Sequence, residues 1–292
     1  MAKQKEPTGP LDWEGRPRVK MVFNVVGTTP MLCNRMSKKA KETLLLGAPP
    51  ITRDQRQRRM KHDPPAEFRE SAERLRQEDE PTLVAVMTSA FKKAMLTAAT
   101  DIPGVAKAML ARQVTVMGYK SPVWGRPYLH MSTVRAKDIN HTPDIRTRAC
   151  LPRWASRIQV EYPPDLITER TVIKLLLEAG RTVGVGDGRQ EKGWGTFGCF
   201  MLVNNNDPEF LAILKEGREV QQEAFDTAEV YDEDSQELME FWTTEVERRG
   251  LQPKTAEEAE AELAEDTEDY MAEHDIVGDG DETQKFDEEE AA

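Results

Sequence analysis

The final stretch of this 292-residue chain, residues 255–292, carries 17 Asp and Glu and a single Lys. A segment so acidic and so poor in large apolar groups cannot bury enough surface to offset the entropy of ordering. It is expected to be a disordered acidic tail, which confines folding to what precedes it. Residues 207–254 hold 14 acids and five bases, whereas residues 1–206 hold 34 Lys and Arg against 21 Asp and Glu. The net charge of −12 therefore hides a basic body joined to an acidic arm. Such a split points to a polyanionic partner for the body.

No apolar run approaches the ~20 residues that span a bilayer. Met1 to Pro10 lacks the apolar core of a signal peptide. A cytoplasmic protein without membrane contact is expected. Cys33, Cys150 and Cys199 lie far apart with no CxxC pair, which argues against a disulfide framework and a structural zinc site. His62, His130, His141 and His274 show neither HExxH nor HxxxH spacing, and Asp187 is a lone carboxylate rather than a magnesium site. No catalytic residue, metal or cofactor is assigned, and the chain is read as non-enzymatic.

Residues 1–17 read as a flexible leader. Val19 to Gly27 (VKMVFNVVG) is a strand rich in β-branched residues, closed by Gly27 and Pro30. A polar, basic insertion covers 34–80, with some helix around 65–77. Leu83, Val86, Met87, Ala90, Phe91, Ala94 and Met95 recur at three-and-four spacing, which predicts a helix over 82–99 packed on a sheet. A short helix follows at 105–111. Strands are expected at 114–119, 128–134, 146–151 and 158–162. A helix opens at Thr168 with a capping pattern, and Gly180 is read as its stop. The loop Gly184–Gly198 leads into a last strand at 197–203. This order is that of an α+β fold with a ferredoxin-like (RRM-type) β-α-β-β-α-β core. The domain spans 18–206, and 207–254 is a helical extension leaving it, with Phe241 and Trp242 able to dock.

The loop GVGDGRQEKGWGTFG holds six glycines in 15 residues. Bare backbone lets peptide amides approach phosphate oxygens closely. Gly184, Gly186, Gly193 and Gly195 would present amides, Arg189 and Lys192 add positive charge, and Trp194 and Phe197 offer rings to a base. A dinucleotide fingerprint follows a strand and opens a helix, whereas this loop follows a helix and opens a strand. GxxxxGK[ST] is absent. The stretch 106–160 adds ten Lys and Arg against two acids, with Tyr119, Trp124, Tyr128 and Trp154 among them. Basic groups tracking a backbone and rings receiving unstacked bases are what single-strand binding needs. The candidate contacts are Lys120, Trp124, Arg126, Arg135, Lys137, Arg146, Arg148, Arg153 and Arg157; Trp154 is the ring most readily given to the core. In the insertion, Arg53, Arg56, Arg58, Arg59 and Lys61 form a cluster suited to nucleic acid or to the chain's own acidic tail.

A ferredoxin-like core with a glycine-rich loop between its last helix and last strand resembles the RAMP superfamily, and within it the filament-forming backbone subunits of CRISPR effector complexes. The resemblance covers Val19–Gly27 and Thr82–Val203 and is one of pattern. It implies that Gly184, Gly186, Gly193, Gly195 and Gly198 occupy the family's glycine-rich loop. It also implies that the insertion after the first strand grips nucleic acid or a neighbouring subunit. The acidic tail departs from that family and is similar to those of phage and bacterial single-stranded DNA-binding and recombination proteins. The charge-split design looks phage-encoded, which would place the protein in the host cytoplasm. The expected function is non-enzymatic binding of single-stranded DNA or RNA by a homo-oligomer or filament, in phage recombination, replication or protection. The alternatives are a CRISPR-like subunit on a guide RNA, a structural or protein-interaction role through the acidic tail, and an RNA endonuclease.

A tethered polyanion acts at an effective concentration reaching roughly millimolar, so the tail should compete with nucleic acid for the body's Lys and Arg. Truncation after Lys254 is expected to raise affinity for short single strands, read by fluorescence anisotropy at low salt. Added salt should shrink the gain, because it screens tail and ligand alike. Equal affinities for the two chains would mean that the tail never touches the body.

Overall fold

The computed structural model describes residues 17–47, 60–75, 77, 79–104, 106–135, 143–192 and 195–251. In chain order the strands are β1 Val19–Gly27, β2 Met31–Leu32, β3 Glu73–Arg74, β4 Val84–Met87, β5 Thr115–Val116, β6 Lys120–Trp124, β7 Tyr128–Arg135, β8 Pro143–Leu151, β9 Ala155–Tyr162 and β10 Phe200–Val203. The helices are α1 Lys38–Leu46, α2 Pro64–Glu70, α3 Thr88–Ala98, α4 Lys107–Gln113, α5 Glu169–Glu178, α6 Pro208–Ile213, α7 Arg218–Thr227 and α8 Glu233–Arg249. The expected leader outside Pro17, the cluster Arg53, Arg56, Arg58 and Arg59, and the acidic tail lie outside the described residues.

β1 sits between two antiparallel partners. It pairs with β9 from Val19↔Tyr162 to Val26↔Ala155 and with β10 from Asn24↔Val203 to Gly27↔Phe200. β9 also pairs with β5 and β6, and the sheet runs β10-β1-β9-β6-β4-β3. Phe23, Val25, Ile158, Val160 and Phe200 join Phe91, Met95, Val172, Leu175 and Leu176 of α3 and α5 in one core. The path β1–α3–β5/β6–β9–α5–β10, with the strand order β10-β1-β9-β6, is the expected α+β ferredoxin-like core. Thr168 caps α5 as its sequence suggests, its side chain accepting from the Thr171 amide.

Several expectations change. The helix predicted over 82–99 begins only at Thr88, and Val84–Met87 is a strand paired with β6. Buried apolar residues in an unbroken run satisfy helical spacing and a fully buried strand equally well. Of the strand expected at 114–119 only Thr115–Val116 forms, and the next strand, β6, begins at Lys120 after Gly118, whose φ is 80°. Gly180 does not stop α5. One wider turn continues from Ala179 to Val183, and the chain leaves the helix at Gly184, whose φ of 77° disfavours a side chain. β7 and β8 do not join the main sheet; they form a hairpin that pairs with β2 in a second, three-stranded sheet.

The helical extension, as far as Trp242, packs on the body instead of leaving it. Phe210 and Ile213 of α6 lie against Val26, Trp124 and Ala155 on the face of the main sheet opposite α3 and α5. Phe225 of α7 joins the main core and meets Phe68 of α2 with ring centres 5.1 Å apart. Of the two residues expected to dock, Trp242 donates its indole N–H to the His62 carbonyl, whereas Phe241 is exposed. The chain divides into two compact units, residues 1–242 and 243–292, with the boundary inside α8. In the described part of the second, Glu245 accepts from Arg248 and Arg249 at 2.7 and 2.6 Å, which holds its carboxyl well below the usual carboxylate range. Cys33, Cys150 and Cys199 are free and buried, and burial pushes the Cys33 thiol up to about 12.

Gln221 of α7 ties the extension to the sheet. Its carbonyl accepts from the amides of Leu83 and Val84 at 2.8 and 2.9 Å, and its amide donates to the carbonyls of Val123 and Gly125 at 2.8 and 3.0 Å. The side chain is fully buried. Gln221→Leu would leave four buried backbone groups without this partner, at about 1–3 kcal/mol for each that stays unsatisfied. Chemical denaturation should show a loss of about 3 kcal/mol or more. A loss under about 1 kcal/mol would mean that water or a shifted backbone replaces the amide.

Candidate nucleic-acid interface

Alternation along the β7–β8 hairpin decides which side chains share a face. The register sets His130 opposite Arg148 and Ser132 opposite Arg146. Across antiparallel partners these four lie on one face, while Leu129, Met131 and Ala149 point into the core. The glycine-rich loop folds over the base of that outer face. Asp187 accepts from Arg148 at 2.6 Å, and Phe197 stands 6.1 Å from the His130 ring. The two sequence features thus meet at one ion pair.

Arg148 is expected from sequence as a nucleic-acid contact, but its side chain is only 8% exposed. It also donates to Ser132 Oγ at 2.5 Å. A guanidinium this enclosed is bound inside the protein and fixes the loop to the hairpin.

The loop's glycines are largely taken up by the chain itself. Five amides are already donated: Gly184 to Ala179, Val185 to Gly198, Asp187 to Leu32, Phe197 to Gly188 and Gly198 to Pro30. Gly198 has a φ of 77°, and a Cβ there would run into the Val185 carbonyl. Gly186 and Gly195 also pass too close to the backbones of Leu32 and Gly188 to leave room for a side chain. The expected phosphate cradle is therefore corrected at these amides, because close backbone packing uses the same lack of side chains. Gly193 and Trp194 lie outside the described residues, as does the side chain of Lys192. Arg189 is half-buried and lies 3.5 Å from Glu191.

Trp124 is also corrected. It is 9% exposed beneath α6, in the small core formed with Phe210 and Ile213, and cannot stack on a base without unpacking that helix. Trp154 is fully buried and donates to the Thr29 carbonyl at 2.9 Å. Much of the basic stretch is bound to other parts of the chain. Arg126 pairs with Glu223 and Glu229 at 3.6 and 3.3 Å, and Arg153 with Glu216 at 3.7 Å. Lys120 pairs with Glu73 at 2.8 Å, and Lys61 with Asp144 at 2.5 Å. Arg157 donates to Asn24 at 3.0 Å, with its guanidinium 5.7 Å from the Phe210 ring centre.

Arg135 and Arg146 remain exposed on the hairpin, with no partner among the described residues. Lys137, between the two strands, lies outside the described residues. The interface the structure assembles is thus the outer face of the hairpin: Arg146 outward, then Ser132 and Arg148, with Arg189 and Phe197 of the loop at its base, while Arg135, opposite Pro143, stands at the same end of the hairpin on its other side. The open part of the main sheet shows Lys20, Val22, Gln159 and Met201, with no ring to receive a base among these four.

Sequence reasoning does not single out His130 and Ser132 as contacts, although the alternation in YLHMSTVR places them beside Arg146 and Arg148. His130 Nδ1 lies 3.0 Å from Asp232, the first-turn cap of α8, whose Oδ1 accepts from the Ser235 amide at 2.8 Å. Burial lowers the His130 pKa despite the upward pull of Asp232. Burial pulls the Asp232 carboxyl up, but hydrogen bonds from Ser235 and the His130 ring outweigh it and leave it lowered. Among the described residues no group of three or more His, Cys, Asp or Glu could hold a metal ion, and no helix is long and apolar enough to cross a membrane.

No protein-family model matches the chain, and no curated protein matches it. The structure is similar to the crystal structure of Cmr6 from Pyrococcus furiosus, with a TM-score of 0.33 and 9% sequence identity over 64% of this chain and 98% of that one. The α+β assignment rests on the strand order and pairing described above.

A folded protein that holds His130 neutral binds its proton more weakly than the unfolded chain does. The stability linked to this group is complete above the ordinary imidazole value of 6.5 and is lost as pH falls through it towards the lowered folded value. Melting temperature should fall between about pH 7 and pH 5, and His130→Gln should flatten that slope. An unchanged slope in the variant would show that other groups govern the acid limb.

Proposed function

We propose that this chain binds single-stranded nucleic acid without catalysing a reaction on it, and that copies assemble along the strand. The observation that carries this reading is the hairpin's outer face. Arg146 stands exposed there, with Arg135 exposed on the other side of the same hairpin end, while other basic residues of the body are held by the chain's own carboxylates. Phe197 and Arg189 lie at the base of the same face. Phosphates track the arginines, and a splayed base meets the loop. The finer reading, phage recombination, replication or protection, rests on the resemblance of the acidic tail.

Arg135→Glu combined with Arg146→Glu is expected to weaken binding at least tenfold in an anisotropy titration. The slope of log K against log salt should fall by about 0.7 for each phosphate that the variant no longer neutralises. Arg126→Gln, which removes an internal ion pair, should leave affinity within about twofold. End-labelled DNA and RNA incubated with Mg²⁺ should stay intact. Undiminished binding by the double variant would move the interface elsewhere, and cleavage of the label would make the protein an enzyme. One observation favours a protein-interaction role instead: Arg126 and Arg153 already bind carboxylates of the acidic extension. Failure to bind any single strand at low salt would select that role.

A further inference from the structure

Two exposed helical stripes carry opposite charge in matching order. On α1, Lys38, Lys41, Leu44 and Leu45 fall three, four and seven positions apart and so share one side of the helix. Both lysines are exposed, and Leu44 and Leu45 are 75% and 83% exposed. On α8, Asp234, Glu237 and Phe241 fall on one side by the same spacing. Both carboxylates are exposed, and Phe241 is 73% exposed. In each stripe the charges precede the apolar group. Lys38 to Leu45 and Asp234 to Phe241 both span seven residues, about 10.5 Å of helical rise.

We infer that these stripes are the two halves of one contact between copies of this chain. The α1 stripe of one copy lies parallel to the α8 stripe of the next. Lys38 and Lys41 then face Asp234 and Glu237, while Leu44 and Leu45 enclose the Phe241 ring. An antiparallel arrangement would set the leucines against the carboxylates. The second copy is selected by this complementarity: each stripe supplies the charge and the apolar group that the other lacks. Because the two surfaces differ, every pairing leaves one stripe of each kind open. Association therefore propagates head to tail, into a filament or a ring, through a contact between unlike surfaces. This contact deepens the assembly part of the proposed function and rests on it only there, since it requires no nucleic acid.

Sedimentation velocity of the full chain without nucleic acid tests the contact. The wild-type mass should grow with protein concentration and fall with added salt. Leu45→Asp and Phe241→Lys should each remain near the single-chain mass of 33.1 kDa, with unchanged melting because both positions are exposed. Mixed in equal amounts, the two variants should form a two-chain species and nothing larger, because one intact pair of stripes remains. Lys38→Glu with Lys41→Glu should weaken association at least tenfold, and adding Asp234→Lys with Glu237→Lys should restore it. A wild-type chain that stays single at every concentration overturns the inference. So does undiminished association of either variant, or a mixture that stays single. None of these results touches strand binding through Arg135 and Arg146, which the titration above reads separately.

Discussion

Everything that brings the hairpin and the glycine-rich loop together passes through Arg148. Its side chain lies almost wholly inside the protein, with Asp187 at 2.6 Å on one side and Ser132 on the other. A charge enclosed in this way must be matched, since removing one partner of a buried pair costs roughly 3–5 kcal/mol. The backbone beside the pair completes the joint. The Asp187 amide donates to Leu32 of β2, and the Gly198 amide to Pro30 just before it. Loop, hairpin and the short strand after β1 are thereby held as one body. The glycines follow from this, because two stretches of backbone pass too closely for side chains between them.

The charge split takes a different meaning once folded. The basic excess is not one continuous patch. Glu216, Glu223 and Glu229 of the extension reach back to Arg126 and Arg153, while Glu73 reaches Lys120. Neutralised there, the body keeps exposed guanidinium groups on the hairpin. These carboxylates therefore do more than add negative charge to the chain. They determine which part of its positive charge faces outward.

Legibility in the sequence follows how local each cause is. β1 is read directly because six of its nine residues are β-branched or large apolar and leave little else to form. The α5 cap is read because Thr168 and Thr171 are three residues apart. β4 reads as helix because Val84, Ala85 and Val86 are buried on both faces, and such a run has no distinguishing period. Trp124 reads as a base platform because its burial comes from Phe210, far along the chain. Long stretches of chain likewise separate Arg126 from Glu223 and Arg148 from Asp187. Spacing shows which residues share a face, but not which distant carboxylate arrives to meet them.

The sheet's central strand is made first and completed last. Val25 pairs with Ser156 and Leu202, so neither edge of β1 finds its partner until most of the chain exists. At about 5–20 residues per second on a ribosome, roughly 10–35 s separate the synthesis of β1 from that of β10. During that interval an apolar strand with two open edges waits for company. Of the segments made meanwhile, the β7–β8 hairpin pairs within itself and is free to form early, whereas α3 waits for α5 and Phe200. For a cell making this protein, the hazardous period ends only when the glycine-rich loop has been threaded and β10 closes the sheet.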